Sequence, residues 1–268
     1  YTLYENGYDE AEGVASGIAE YVRDGWNYND VAILYRTNAQ SRALEEKLMI
    51  HNIPYKIYGG QNFYQRKEIK DILAYLKTID NGLDGQAVKR IINVPKRGIG
   101  NTTIDRLQEY ADFNDITFWE ALVNAKDIDT IKNAALSKLE PFVDLIGRLR
   151  AKEEFMSLKE LAEAVIEDTG YIESLSQNET VEEVEARREN LDEFINKVVS
   201  YEEGCKEAGE EPTLSGLLEE VALIADIDNL DESEPHVMLM TLHSAKGLEF
   251  PIVYMTCLLY TSPSPRDS

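Results

Sequence analysis

The stretch TLHSAKGLEF (residues 241–250) carries hydroxyl, imidazole, amine and carboxylate groups directly after an apolar run that predicts a buried strand. Polar loops at the carboxyl ends of strands are where α/β folds bind ligands. The loop is not a GxxxxGK[ST] phosphate-binding loop, and that motif occurs nowhere in the chain. On pattern alone, a hydrogen-bonded structural His243 and a solvated Lys246 are favoured over functional roles.

A second candidate is NVPKRGIGNTTIDRL (residues 93–107), in which a Gly-Ile-Gly turn separates two predicted helical segments. Thr102 or Thr103 is predicted to cap the second helix. In a helix-hairpin-helix element such glycines let the backbone approach a phosphate, and the next helix presents free N–H groups. An ordinary turn between helices fits about equally well. Lys96 and Arg97 support the phosphate interpretation, because basic side chains dominate non-specific affinity for DNA.

The formal net charge of −23 argues at first against a nucleic-acid partner. Charge acts locally, however, over about 8–10 Å at ordinary salt. Residues 86–108 hold five basic side chains and one acidic one, whereas residues 202–235 hold twelve acidic side chains and one basic one. A basic island within an acidic chain therefore keeps a DNA partner open.

Composition excludes several other classes of protein. No apolar run reaches the roughly 18 residues of a membrane span, and the first residues do not form a signal peptide. Two cysteines and three histidines form neither a disulfide framework, nor a zinc motif, nor a nucleophile–base motif. We expect a cytoplasmic protein without membrane contact. Because the chain lacks an initiator Met, we also expect it to begin inside a longer protein.

The pattern of elements predicts an α/β fold with a parallel sheet. Residues 30–36 and 53–60 read as strands, Thr37 and Gln40 form a capping-box pattern, and residues 68–79 form an amphipathic helix. Strand signals then nearly vanish until residue 236, and the stretch between contains helical patterns with start signals at Ser157 and Thr180. We expect an all-helical domain inserted within an α/β domain.

An aromatic pair in the first segment leaves two interpretations open. Phe63 and Tyr64 lie beside Arg66 and Lys67, so the rings could stack on bases while the cations hold a nucleic-acid backbone. Equally, one ring of the pair belongs to the core.

Four motifs, in this order and at these separations, resemble those of superfamily 1 DNA helicases of the UvrD/Rep type. The resemblance extends from residue 1 to about residue 255. The motifs are AILYRTNAQSRALEEKL, YGGQNFYQRKEIKDILAYL, RIINVPKRGIGNTTIDRL and VMLMTLHSAKGLEFPIVY.

The resemblance implies an incomplete RecA-like lobe, 2A, formed by residues 1–80 and 236–256, with residues 81–235 as the inserted helical subdomain 2B. In the family, lobes 1A and 2A clamp ATP and move along single-stranded DNA in the 3′→5′ direction. Matching motifs assign single-strand contacts to Arg36, Asn38, Thr241 and His243, and nucleotide contacts to Gly247 and Glu249. Duplex contacts are assigned to Lys96, Arg97, Gly98, Ile99, Gly100 and Thr102.

The resemblance also indicates what the chain lacks. The family's Walker A loop and the Asp-Glu pair that holds Mg²⁺ belong to lobe 1A and are absent from this sequence. ATP and Mg²⁺ are therefore expected in the complete parent protein and not with this chain alone, which we expect to be inactive as an ATPase. The expected partners are DNA, both single-stranded and at a single-strand/duplex junction, and lobe 1A.

Two alternatives remain open. One alternative to the helicase motor is a stand-alone, non-catalytic DNA-binding or regulatory module, and the other is a fragment of a helicase–nuclease subunit of the RecB/AddA kind. An in-frame Walker A motif upstream supports the motor, and a true start codon supports the module. Residues 257–268 resemble the translation of a sequencing adapter, and we expect no function from them.

Overall fold

The computed structural model describes residues 2–227 and 235–256. The strands are β1 (Val31–Tyr35), β2 (Tyr55–Ile57), β3 (Val237–Thr241) and β4 (Ile252–Met255). The first helices are α1 (Gly7–Arg23), α2 (Ser41–Ile50), α3 (Lys67–Asp80), α4 (Gly85–Ile91), α5 (Asn101–Asn114) and α6 (Phe118–Val123). The remaining helices are α7 (Asn133–Glu153), α8 (Leu158–Thr169), α9 (Tyr171–Leu175), α10 (Val181–Ala208) and α11 (Leu214–Ile227).

The described chain separates into two compact units. One holds the residues up to Arg66, residues Glu189–Asn196 of α10, and the residues from Val221 onward. The other holds Lys67–Arg188 and Lys197–Glu220. The domain boundaries expected at residues 80 and 236 stay a prediction, and the adapter-like residues 257–268 lie outside the described part of the chain.

The first unit contains a four-stranded parallel sheet in the order β2-β3-β1-β4. This confirms the predicted α/β class with a parallel sheet and a helical insertion. The central strands β1 and β3 are rich in apolar residues, as strands buried on both faces require. Helices α1 and α2 bury apolar side chains in the same core as Ile33, Tyr35 and Leu239.

Helix α1 was not predicted, although its sequence contains the necessary signal. Its buried residues Ala11, Val14, Ala15 and Ile18 recur at the spacing of one helical face. Two of the four positions are alanine and the other two carry β-branched side chains, so the apolar stripe is weak. Asn6 caps the helix by accepting the N–H of Asp9.

The second unit is helical throughout its described residues. The predicted start signals are confirmed: Ser157 and Thr180 each form a capping box with the glutamate three residues later. Gly170 ends α8 in the left-handed conformation, with φ of 65°. Within the described residues, no helix is both long enough and apolar enough to cross a membrane.

Helix α2 carries buried charges that are all paired within the first unit. The Arg42 guanidinium is 1% exposed and donates to Glu46 (3.0 Å), Glu193 (2.8 Å) and the Tyr8 hydroxyl (2.6 Å). Burial alone would lower the pKa of Arg42, but Glu46 and Glu193 raise it well above its ordinary value. The guanidinium therefore stays charged and joins α2 to α10 inside this unit.

We predict that Arg42→Ala lowers the free energy of unfolding by about 3–5 kcal/mol, because it leaves the buried Glu46 carboxylate without its charge partner. The matched control is Arg23→Ala, which removes an exposed pair with Glu20 at 4.0 Å and should change stability by at most about 0.5 kcal/mol. Urea denaturation followed by circular dichroism measures both variants. Equal losses in the two would contradict this account of the network.

Candidate nucleic-acid interface

The polar segments that follow β1 and β3 lie side by side at the carboxyl edge of the sheet. Tyr35 is in register with Thr241, and the Leu242 N–H donates to the Tyr35 carbonyl oxygen at 2.9 Å. Arg36 and Asn38 follow β1, whereas His243 follows β3. All three are exposed, and Thr241 is half-buried. The structure thus brings together the four residues predicted to contact single-stranded DNA, while the contact itself stays a prediction.

The turn after β1 is held by side chains other than the candidate ligands. The Gln40 side-chain oxygen accepts the N–H groups of Arg36 (2.9 Å) and Thr37 (3.0 Å). The Ser41 hydroxyl donates to the Asn38 carbonyl oxygen at 2.9 Å. Thr37 and Gln40 form the predicted capping box, which opens a short 3-10 turn that leads into α2. The backbone of the turn is fixed while Arg36 and Asn38 face solvent.

The loop after β3 is closed on itself. The Thr241 hydroxyl lies 2.9 Å from the Ser244 hydroxyl and accepts the Ser244 N–H at 3.2 Å. The Ala245 N–H donates to the Thr241 carbonyl oxygen, and the Leu248 N–H to that of Ala245. Thr241 therefore has a structural role in this loop, in addition to the single-strand contact predicted for it.

The predicted nucleotide contacts lie at the end of the same loop. Gly247 has φ of +88°, and a Cβ built on it meets no heavy atom within 4 Å. Glu249 is exposed. A bare backbone position two residues from a free carboxylate fits a nucleotide approaching from solvent. Within the described residues, no three His, Cys, Asp or Glu side chains are grouped to hold a metal ion.

In the second unit, the segment between α4 and α5 forms a tied hairpin. The Asn93 side chain donates to the Ile99 carbonyl oxygen (2.6 Å) and accepts the Ile99 N–H (3.0 Å). Ile99 is buried, whereas Lys96, Gly98 and Gly100 are exposed. Gly98 has φ of +70°, which favours glycine. The predicted turn is present, with its two glycines presented to solvent.

Arg97 points into this hairpin. Its guanidinium donates to the carbonyl oxygens of Ile91 (2.9 Å), Ile92 (3.2 Å) and Pro95 (3.2 Å) and to the Tyr75 hydroxyl (2.7 Å). It also stacks 4.9 Å from the ring centre of a buried phenylalanine of α7. These groups include the last carbonyls of α4, which a cation stabilises. Contact of Arg97 with duplex DNA stays a prediction, but its side chain already has an internal structural role.

The structure corrects the predicted N-cap of α5. Gly100 is the N-cap, and Thr102 lies inside the first turn, as does Thr103. Because glycine has no side-chain acceptor, no side chain caps this helix. A helix start without a side-chain cap, preceded by exposed Lys96, suits a phosphate, because its first N–H groups have no acceptor within the helix. Lys138, which sequence reasoning missed, donates to the Gly98 carbonyl oxygen at 2.8 Å and adds a cation to this surface.

Comparison with known proteins decides which family these features belong to. The family model of the UvrD-like helicase C-terminal domain matches residues 1–262. The chain belongs to this family. It is 47% identical over 247 residues to the ATP-dependent DNA helicase PcrA of Staphylococcus aureus, and 45% identical to that of Staphylococcus epidermidis. Each match covers 92% of this chain and 33% of the relative, so the chain spans about a third of the relatives' length. It is a UvrD/PcrA-type helicase fragment.

The structure also decides between the two interpretations of the aromatic pair Phe63 and Tyr64. Phe63 is fully buried and Tyr64 is 3% exposed, and the two rings pack edge to face at 5.2 Å. The Tyr64 hydroxyl donates to buried Glu46 at 2.7 Å. The base-stacking interpretation of this pair is therefore wrong: both rings belong to the core. Arg66 is also buried and donates to Asn190 at 2.8 Å.

We predict opposite outcomes for substitution of the two neighbouring basic residues of the hairpin, Lys96 and Arg97. Arg97→Ala should lower the free energy of unfolding by about 2–3 kcal/mol, because it removes the hydrogen bonds donated to three carbonyls and to the Tyr75 hydroxyl. Lys96→Ala should leave stability within about 0.5 kcal/mol. The same change should weaken duplex DNA binding and reduce its salt slope by about 1.

Thermal unfolding, and titration of a labelled duplex at several salt concentrations, measure the two effects. An Arg97→Ala protein of unchanged stability would contradict the structural role of Arg97. A Lys96→Ala protein with an unchanged salt slope would remove Lys96 from the interface.

Proposed function

We propose that the chain is the 2A/2B part of an ATP-dependent DNA helicase that moves along single-stranded DNA in the 3′→5′ direction and unwinds duplex. The observation that carries this proposal is the adjacency, at one edge of the sheet, of the exposed residues after β1 and the loop after β3. The curated relatives are named ATP-dependent DNA helicases. We also propose that the parent helicase acts in DNA repair or replication and is cytoplasmic.

The residues at the edge have complementary chemistry for a single strand. Arg36 supplies a charge for a phosphate, and the Asn38 side chain supplies a donor and an acceptor. His243 lies on the neighbouring strand's loop with its ring exposed. None of these contacts requires a particular base, which fits a motor that must move along DNA of any sequence.

The loop from Thr241 to Glu249 connects the two proposed contacts. Its first residues lie at the DNA side, and Gly247 and Glu249 lie at the proposed nucleotide side. Bonds from Ser244, Ala245 and Leu248 within the loop limit its independent movement. Bound ATP would supply the free energy of hydrolysis, and the chain's own residues would transmit a displacement of the loop's end to its DNA-facing start.

Lobe 1A of the parent protein is the proposed partner that supplies the phosphate loop and the Mg²⁺ ligands. The hairpin in the second unit is proposed to hold the duplex at the single-strand/duplex junction. Lys96 and the backbone of Gly98, Gly100 and Thr102 would contact phosphates. Buried Ile99 anchors this loop, because its side chain is 6% exposed.

We predict that Arg36→Ala weakens binding of the chain to a labelled oligothymidylate about tenfold and lowers the salt slope by about 0.7, because one phosphate contact is lost. Arg23→Ala is the control, since it also removes an exposed positive charge, from the end of α1. Fluorescence anisotropy at several salt concentrations measures both. Equal losses for the two variants would mean that only overall charge matters and would overturn the proposed edge site.

We also predict that the purified 268-residue chain shows no ATP hydrolysis above background with or without single-stranded DNA. The physical reason is that phosphoryl transfer requires a phosphate loop and metal ligands, and the sequence has no GxxxxGK[ST] motif. A coupled assay for released phosphate measures this. DNA-stimulated hydrolysis that survives repurification would contradict the assignment.

A further inference from the structure

We propose that Tyr58 is a base-stacking contact for single-stranded nucleic acid at the third strand of the same edge, an inference that rests on the proposed function. Tyr58 directly follows β2 and extends its pairing with β3, because its N–H donates to the Leu239 carbonyl oxygen at 2.8 Å. The register pairs Ile57 with Leu239. Continuing it one residue places Tyr58 opposite Met240, and Gly59, with a left-handed φ of +70°, then turns the chain out of the strand.

Thr241 is in turn opposite Tyr35 on β1. β2 therefore ends level with Leu239, two residues before Thr241, and the segments after β2, β3 and β1 all leave the sheet at its carboxyl edge. Neighbouring strands are about 4.8 Å apart, so Tyr58 lies about 10 Å across the edge from Arg36 in the hydrogen-bonding direction. A single strand held by Arg36 and His243 would have its next bases within reach of Tyr58.

The tyrosine ring is available for this contact. Tyr58 is 47% exposed, whereas Tyr55 and Ile57, on the opposite face of β2, are buried in the core. Tyr35, by contrast, is fully buried at the end of β1 in the same sheet. Tyr58 therefore does not serve core packing with its exposed half.

The backbone beside Tyr58 is open as well. Gly59 has φ of +70°, and a Cβ built on it meets no heavy atom within 4 Å. A strand of nucleic acid can thus approach the main chain beside the ring without meeting a side chain. Exposed Lys56 lies two residues before Tyr58 on the same face of the strand and adds positive charge.

Stacking on a tyrosine suits a surface that must accept any sequence, because every base has a π face. The corrected interpretation of the neighbouring aromatics strengthens this assignment. In the stretch YGGQNFY, residues 58–64, Phe63 and Tyr64 are core residues, and Tyr58 is the aromatic side chain that faces solvent.

The test compares Tyr58→Ala, Tyr58→Phe and a control, Trp26→Ala, in the 268-residue chain. Trp26 is 45% exposed and lies before the amino end of β1, on the opposite edge of the sheet. The probes are a labelled oligothymidylate and the same oligonucleotide with a single abasic residue placed at each position in turn. We expect Tyr58→Ala to weaken oligothymidylate binding at least about fivefold, and Tyr58→Phe and Trp26→Ala to stay within about twofold.

At one oligonucleotide position, the abasic residue should weaken binding to the unaltered chain by a similar factor and cost nothing further in Tyr58→Ala. If Tyr58→Ala binds like the unaltered chain while Arg36→Ala is weakened, the stacking contact is wrong and the proposed function stands. If neither variant changes binding, both the proposed function and the stacking contact are overturned. Unchanged unfolding midpoints in the variants exclude loss of fold as the cause.

Discussion

The parallel pairing of β1 with β3 is the constraint on which the rest of the molecule depends. It joins Tyr35 to Thr241, about 200 residues later in the chain. Both strands are buried on both faces, so their side chains lock the alignment of the two backbones. A shift of one residue would move every side chain of one strand to the other face of the sheet and break the register that pairs Ile33 with Leu239. The same alignment sets Arg36 beside the loop that begins at Thr241, and every role proposed for this edge follows from it.

The distribution of charge explains how a chain of net charge −23 can bind DNA, which is itself a polyanion. Acidic residues concentrate along the sequence in residues 202–235, and cations at the two proposed surfaces act over a short range. The basic residues themselves divide into two groups. Arg42 and Arg97 are held by internal partners and maintain the fold, whereas Arg36 and Lys96 are exposed. Exposure, and not charge alone, distinguishes candidate ligands from structural cations.

Much of the fold could be predicted from the sequence, because its strongest signals are local. The apolar strand at residues 30–36 and the capping boxes at Ser157 and Thr180 depend on residues a few positions apart. The family motifs added the adjacency of residues 36–38 and 241–243, which no local pattern contains. Helix α1 escaped prediction because its buried face consists largely of small side chains.

What the sequence could not supply was the direction of individual side chains. Phe63 and Tyr64 have the composition of a stacking platform, yet Glu46 and the surrounding core bury them. Arg97 has the chemistry of a phosphate ligand, yet its guanidinium donates to the carbonyls at the end of α4. Lys138 joins the hairpin from about 40 residues away. Each outcome depends on long-range packing, which a linear pattern does not encode.

The central claim is that the carboxyl edge of the parallel sheet is the surface that binds single-stranded DNA. Hydrogen–deuterium exchange of the chain, measured by mass spectrometry with and without a saturating oligothymidylate, tests it most directly. The account predicts slower exchange in peptides that span residues 36–40, 58–61 and 241–249, with no change in peptides from α8. Protection confined to other regions, with these three segments unchanged, would contradict it.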